Sequence, residues 1–376
     1  MAPSSDSSVL ASSDSMPLVP EHIRRLVPYP PGKPLSELER ELGITHAVKL
    51  ASNENALGPS PRAVEAMQAA LATVHRYPDG GAWFLRHALA THLDVAPERL
   101  LLGNGSNELI EHLIRAFGGP ERGVLTSECT FVVYALIAQA AGVPVTTVPT
   151  QDFHFDLEAM AAAWHPGIRL VFLCSPNNPT GTVIAPAALE RFMGRISDET
   201  IVVLDEAYLE YCDPSERLDA LRWVAERPRT VTLRTFSKAY GLAGVRVGYG
   251  VTSAELADYV NRVRQPFNVN TLAQVAAEAA LADVAFLDEV VRVTRHGRQQ
   301  VLDGLAHLGL RTIPSQANFV MFDLARDGRA VYDALLRLGV IVRPLANYGL
   351  PTWLRVNMGT LDENARFLAA LRQVLA

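Results

Sequence analysis

The stretch ETIVVLDEAY, residues 199–208, decides the fold. Ile201, Val202, Val203 and Leu204 run without a polar break and stop at Asp205. A strand with one wet face alternates apolar and polar residues. A continuous apolar run suits a strand covered on both faces, as in a parallel sheet flanked by helices. The same pattern recurs in IRLVFLCSP (168–176), and RGVLTS (122–127), TVTLRTFSK (230–238) and VRVGYGV (245–251) read as further strands. RLLLGNG (99–105) reads as a strand entering a glycine turn, and VPVTTVPT (143–150) as another short strand. In SNELIEHLIRAF (106–117) the residues Leu109, Ile110, Leu113, Ile114 and Phe117 fall at helical spacing, and VVYALIAQAAG (132–142) reads as a further helix. Strands alternating with helices predict a doubly wound, three-layer α/β/α domain with a mostly parallel sheet over residues 51–274.

The pattern changes beyond it. Long helices are expected over 271–283 and 286–309, then strands NFVMFDL (318–324), VIVRPL (340–345) and WLRVNMG (353–359), with helices over 329–339 and 361–375. That reads as a smaller α+β domain, residues 275–376. Residues 17–50, rich in proline, are expected to pack on it as an arm. Residues 1–16, rich in Ser and Asp, read as a disordered tail, with Met16 an alternative start to Met1.

Composition narrows the function classes. The chain has 376 residues, 20% of them charged, and a net charge of −6. That gives no basic excess for nucleic acid. No apolar run reaches the roughly 18 residues of a membrane span, and the N-terminus lacks a secretory signal. Three widely spaced cysteines form no disulfide framework or metal motif, and the ten histidines show no paired metal spacing. A reducing cytoplasm fits, and no metal is expected.

Ligands of open α/β sheets sit beyond the carboxyl ends of the strands. The polar residues there are few. GNGSNE (103–108) is a glycine-rich strand-to-helix turn, suited to a tight turn or a phosphate cradle. SPNNPTG (175–181) is rich in turn formers, and its asparagines can serve the local backbone or a ligand. Asp205 follows buried apolar residues, so it needs a salt bridge or hydrogen bonds. Lys238 sits among Phe236, Tyr240, Leu242 and Val245, either as a partly exposed loop lysine or held in a pocket, where desolvation lowers an amine's pKa and makes it nucleophilic. Such an amine can form a Schiff base with an aldehyde. Pyridoxal phosphate asks for four things: a lysine, a carboxylate for its pyridine nitrogen, phosphate donors and an aromatic surface. Lys238, Asp205, the GNGSN turn with Arg246, and Phe131 supply that combination.

SPNNPTG, LDEAY, RTFSKAYGLAGVRVG and LRVNMGT resemble the aspartate aminotransferase superfamily of fold-type I pyridoxal-phosphate enzymes, over residues 24–376. Within it, LVPYPPGK, KLASNENALGPSP, HRYPDGG and SPNNPTG are similar to the histidinol-phosphate aminotransferases, including relatives that act on aromatic amino acids. The resemblance implies that Lys238 carries the cofactor and shuttles a proton, that Asp205 keeps the ring nitrogen protonated, and that Asn178 and Tyr208 bond the ring hydroxyl. It implies Phe131 stacked on the ring, Ser106, Asn107, Ser237, Arg246 and, as a helper, Thr235 on the phosphate, and Tyr77 reaching that phosphate from the second subunit of a homodimer. Arg355 is matched to the arginine that grips a substrate carboxylate. Tyr29, Asn53, Tyr77, Asn178, Phe267 and Arg343 complete the substrate site. Phe267 stands where some relatives carry Tyr, which removes one phosphate contact and favours an aromatic side chain. The expected reaction is transamination between L-histidinol phosphate and 2-oxoglutarate. An aromatic amino acid as donor is the alternative. Decarboxylation of a phosphorylated amino acid, or a regulator with an aminotransferase-like domain, stand further off.

Overall fold

A computed structural model describes residues 17–28 and 32–376. The expected tail 1–16 and Tyr29 lie outside them. The strands are β1 (Val48–Lys49), β2 (Leu100–Gly103), β3 (Gly123–Ser127), β4 (Val145–Val148), β5 (Ile168–Cys174), β6 (Ile201–Asp205), β7 (Thr230–Thr235), β8 (Gly248–Val251), β9 (Arg311–Thr312), β10 (Phe319–Asp323), β11 (Val340–Ile341), β12 (Arg343–Leu345) and β13 (Leu350–Asn357).

A seven-stranded sheet has the order β2-β8-β7-β6-β5-β3-β4. Successive residues of one strand feed opposite faces. Leu170, Phe172 and Cys174 join the apolar cluster beneath the helices Ser106–Phe117 and Val133–Ala140. Val171 and Leu173 join the cluster under Leu157–Ala163 and Pro186–Met193. Both faces are covered, which is why these strands read as unbroken apolar runs.

One strand departs from the parallel expectation. β8 runs antiparallel to both β2 and β7, while the remaining pairs in this sheet are parallel. A parallel return needs a crossover helix, whereas antiparallel neighbours accept a short connection. Residues 236–247 are such a connection, and they hold both Lys238 and Arg246 at one end of the sheet.

A second, antiparallel sheet has the order β12-β13-β10-β9. The helices Val284–His307, Gly328–Arg337 and Leu361–Leu375 cover it through Val301, Leu305, Leu335 and Phe367. A capping box between Thr360 and Glu363 starts the last of these.

Two boundaries differ from the sequence reading. The helix Thr271–Leu281 is continuous, and its Ala276, Ala277, Ala280 and Leu281 pack with Leu100, Leu102 and Val251 of the larger sheet. The expected break after residue 274 falls inside it. The arm is also divided. β1 pairs with β11, and Leu38 packs on Ile341. Helix Glu21–Arg24 instead lies on the larger unit, with His22 against Gly142 behind helix Val133–Ala140.

Candidate active site

A cavity of about 440 Å³ opens where the carboxyl ends of β2, β5, β6 and β7 meet β12 and β13. Its lining includes Asn53, Ser106, Asn107, Phe131, Asn178, Asp205, Tyr208, Thr235, Ser237, Lys238, Arg246, Arg343 and Arg355. Residues far apart in the chain thus share one wall.

The turn after β2 is shaped by glycine. Gly105 has φ +83° and ψ 165°, a conformation essentially closed to other residues. A Cβ on it would fall 2.2 Å from Nη2 of Arg246. A Cβ on Gly248 would fall 2.5 Å from the Ser106 nitrogen. Backbone and guanidinium therefore approach more closely than side chains would allow. The helix beginning at Ser106 carries no side-chain cap, and its first residues Ser106 and Asn107 line the cavity, which places the positive end of the helix dipole at that wall. Arg246 donates to Ser237 Oγ at 3.3 Å, and Thr235 Oγ1 accepts the Ser237 N–H at 3.1 Å. Arg246 adopts φ +62°, which turns its side chain toward the turn.

Asp205 is buried at the end of β6. The salt bridge that its burial suggested is absent among the described residues. The adjacent Glu206 makes that bridge, with Arg234 at 2.9 Å and the Thr232 hydroxyl at 2.8 Å. Asp205 accepts the Tyr134 hydroxyl at 2.6 Å and the Ala207 N–H at 3.1 Å. Burial pushes its pKa up to about 6, opposed by these hydrogen bonds. Lys238 is pushed down to about 8, by burial first and then by the Arg355 charge. Its Nζ donates to the Ser52 carbonyl at 3.2 Å and lies 5.8 Å from the Tyr208 ring centre.

The two asparagines of SPNNPTG divide the two roles the sequence left open. Asn177 holds the loop, accepting from Thr130 and donating to the Cys129 carbonyl and Thr180. Asn178 faces the cavity and accepts from Arg355 at 2.5 Å. Arg355 also donates to the Ala51 carbonyl at 2.9 Å. Asn53, at φ +55°, donates to the Tyr208 hydroxyl at 2.9 Å, so its amide orients that tyrosine. Arg343 and Arg355 are directly opposed on the antiparallel pair β12 and β13. Like charges in that register are unfavourable, and an anion placed between them would offset the repulsion.

Tyr77 and Phe267 are not in this cavity. They stack on each other at 4.8 Å on the surface, 83% and 45% exposed. The chain alone brings neither to Lys238. Tyr134, Ser52 and Tyr348 also belong to the site region but were not read from sequence. Tyr134 lies one helical turn past Phe131, and that i+3 spacing was the available signal.

These donors suit the phosphate-bearing pyridine aldehyde that the motifs imply. A glycine-narrowed turn with an arginine fits a phosphate, a buried carboxylate without a cationic partner among the described residues fits a ring N–H, and a lowered-pKa amine fits an aldehyde.

The fold and this lining define a class, and comparison with known proteins agrees. The family model "Aminotransferase class I and II" matches residues 45–371, and the chain belongs to that family. Its relatives are more particular. It is 50% identical to histidinol-phosphate aminotransferase 2 of Pseudomonas aeruginosa, over 97% of this chain and 99% of that one. It is 49% identical to histidinol-phosphate aminotransferase of Anaeromyxobacter sp., over 96% and 100%. The crystal structure of histidinol-phosphate aminotransferase from Sinorhizobium meliloti, in complex with pyridoxal-5′-phosphate, superposes with a TM-score of 0.88 at 31% identity, covering 97% of this chain and 99% of that one.

Proposed function

We propose that the chain transfers an amino group between L-histidinol phosphate and 2-oxoglutarate, with pyridoxal 5′-phosphate as cofactor, giving imidazole-acetol phosphate and glutamate in histidine biosynthesis. The observation that carries this reading is the convergence of Lys238, Asp205 and the opposed pair Arg343 and Arg355 on one cavity. Ser106, Asn107, Ser237 and Arg246, with Thr235 orienting Ser237, would hold the cofactor phosphate. Asp205 would take the ring nitrogen, Asn178 and Tyr208 the ring hydroxyl, and Phe131 the ring face. When bound, the cofactor supplies an electron-withdrawing ring that takes up the electron pair left at the amino-bearing carbon.

The remaining work belongs to the chain. The Lys238 amine, its pKa lowered to about 8 by burial, would take the proton from that carbon onto Nζ and deliver it to the carbon that came from the cofactor's aldehyde, and would carry it the opposite way when 2-oxoglutarate accepts the amino group. Arg355, held by Asn178, grips the anion common to both substrates: a phosphate in one, a carboxylate in the other. Arg343 supports the same anion, and Tyr29 is assigned to it as well. Asn53 holds Tyr208 in place.

The functional unit in this reading is a cytoplasmic homodimer. Leu71, Val74, Tyr77, Trp83, Phe84 and Phe267 are exposed apolar residues, and a second copy would cover them. Tyr77 then serves the cofactor phosphate of the other copy, and Phe267 its substrate pocket. No helix among the described residues is long and apolar enough to cross a membrane.

The test is kcat/KM of the cofactor-loaded protein for L-histidinol phosphate and for L-phenylalanine, with 2-oxoglutarate as acceptor. A preference of about a hundredfold for histidinol phosphate, roughly 2.7 kcal/mol of discrimination, is expected. A preference for phenylalanine would assign the enzyme to aromatic amino acids and remove the phosphate role of Arg343.

A further inference from the structure

We propose that Tyr134 is a positioning residue: its hydroxyl holds the Asp205 carboxylate ionised and aimed into the cavity, and so sets how firmly the site grips a cationic ring nitrogen. The inference rests on the cofactor reading above.

The geometry is specific. Tyr134 is fully buried, and its O–H donates to Asp205 Oδ2 at 2.6 Å. The other carboxylate oxygen, Oδ1, takes the Ala207 N–H at 3.1 Å. The Tyr134 ring cannot drift. It lies parallel to Phe172 at 4.8 Å and meets Phe131 edge-on at 5.6 Å. Phe131 also lines the cavity, so one helical turn places both the aromatic wall and the hydroxyl behind the carboxylate. The Asp205 backbone is pinned on both sides, with its carbonyl taken by Ser175 N–H at 3.0 Å and the next N–H given to Leu233 at 2.8 Å. The side-chain torsion is what remains to be fixed, and the Tyr134 hydroxyl, through the shorter of the two bonds to the carboxylate, fixes it together with the Ala207 N–H.

The charges point the same way. Burial raises the Tyr134 phenol well above its ordinary range, and the Asp205 charge adds to this, so the phenol keeps its proton and donates. Around Asp205 stand Cys174 from β5, the neighbouring Glu206, Tyr208 and Lys238. Burial is the largest influence on the carboxyl, and Tyr134 is the largest one opposing it, ahead of the Ala207 N–H and Lys238.

The test titrates cofactor-free wild type and Tyr134→Phe with pyridoxamine 5′-phosphate from pH 5.5 to 8.5. This ligand has no aldehyde, so Lys238 cannot link to it. A hydrogen bond to a charged group sets the scale: roughly ten- to a hundredfold weaker binding is expected for Tyr134→Phe at pH 6.5. The ratio should shrink toward pH 8.5, because without the hydroxyl Asp205 takes up its proton at a higher pH. A ratio within twofold of unity, or one independent of pH, overturns the proposal. Phe172→Leu loosens the same packing and keeps the hydroxyl, so its ratio should stay flat with pH. A pH-dependent ratio there would make packing the whole cause.

A second readout needs no ligand. A raised carboxyl pKa costs stability as pH rises through the window between the unfolded and folded values. The melting deficit of Tyr134→Phe should therefore be small at pH 5 and larger at pH 8. A deficit equal at both, including failure to fold at both, overturns the proposal. If wild type itself binds no pyridoxamine phosphate, the cofactor reading has failed; if wild type binds and the variant matches it, only the Tyr134 role has failed.

Discussion

Replacing Gly105 by alanine tests the phosphate turn. The residue sits at φ +83° and ψ 165°, where a Cβ costs about 1–3 kcal/mol in backbone strain. Strain is only part of the effect. The new Cβ would stand 2.2 Å from Nη2 and 2.9 Å from Cζ of Arg246, so the guanidinium must leave its place. It then gives up its bonds to Ser237 at 3.3 Å and to the Asn104 carbonyl at 3.4 Å. Loss of one charge-assisted donor to the cofactor phosphate is worth about 1.5–3 kcal/mol, or roughly ten- to a hundredfold in affinity. Gly105→Ala should thus lower the melting temperature of the cofactor-free protein by a few degrees and weaken pyridoxal phosphate binding by that factor. Calorimetric melting and equilibrium dialysis read the two separately. Arg246→Ala in the same background should add little to the affinity loss, since both changes remove one contact. Unchanged affinity beside a lowered melting temperature would mean that GNGSNE is a tight turn and nothing more.

Three other outcomes follow from the same geometry. Lys238 titrates near 8 when folded and near its ordinary 10.5 when unfolded, so the unfolded chain holds the proton longer and stability rises with pH across that window. Cofactor-free wild type should gain on the order of a few kcal/mol over Lys238→Met between those limits, and a constant difference in urea unfolding would refute the shift. Glu206→Gln leaves Arg234 buried without its carboxylate and should cost about 3–5 kcal/mol; a loss below about 1 kcal/mol would show the pair to be dispensable. Arg355→Lys removes the planar fork and should lower kcat/KM about ten- to a hundredfold for both the amino donor and 2-oxoglutarate, whereas a fall for one alone would separate their anion sites.

The sequence carried the centre of the large sheet well because β5 and β6, covered on both faces, are almost continuously apolar. Val203 and Leu204 are buried on opposite sides of one strand, and both had to be apolar. It carried less of the helical boundaries. Nothing local in TLAQVAAEAALAD says which sheet the helix serves, and its alanines in fact pack on Leu100 and Val251. The direction of β8 was equally silent, because an apolar run has the same periodicity in either direction.

What the sequence determined by itself was the inventory: a lysine in an apolar setting, a carboxylate at a strand end, a glycine turn opening a helix, and the motifs that resemble one superfamily. Those are properties of residue type and near neighbours. Tertiary structure decided the partnerships. It gave the salt bridge to Glu206 and the tyrosine hydroxyl to Asp205, turned Asn178 to the cavity and Asn177 to the loop, and set Arg343 opposite Arg355. It also left Tyr77 and Phe267 on the outside of the single chain. Each of these depends on distances between segments up to hundreds of residues apart, and no local pattern encodes which of several polar groups will arrive within 3 Å of a buried charge.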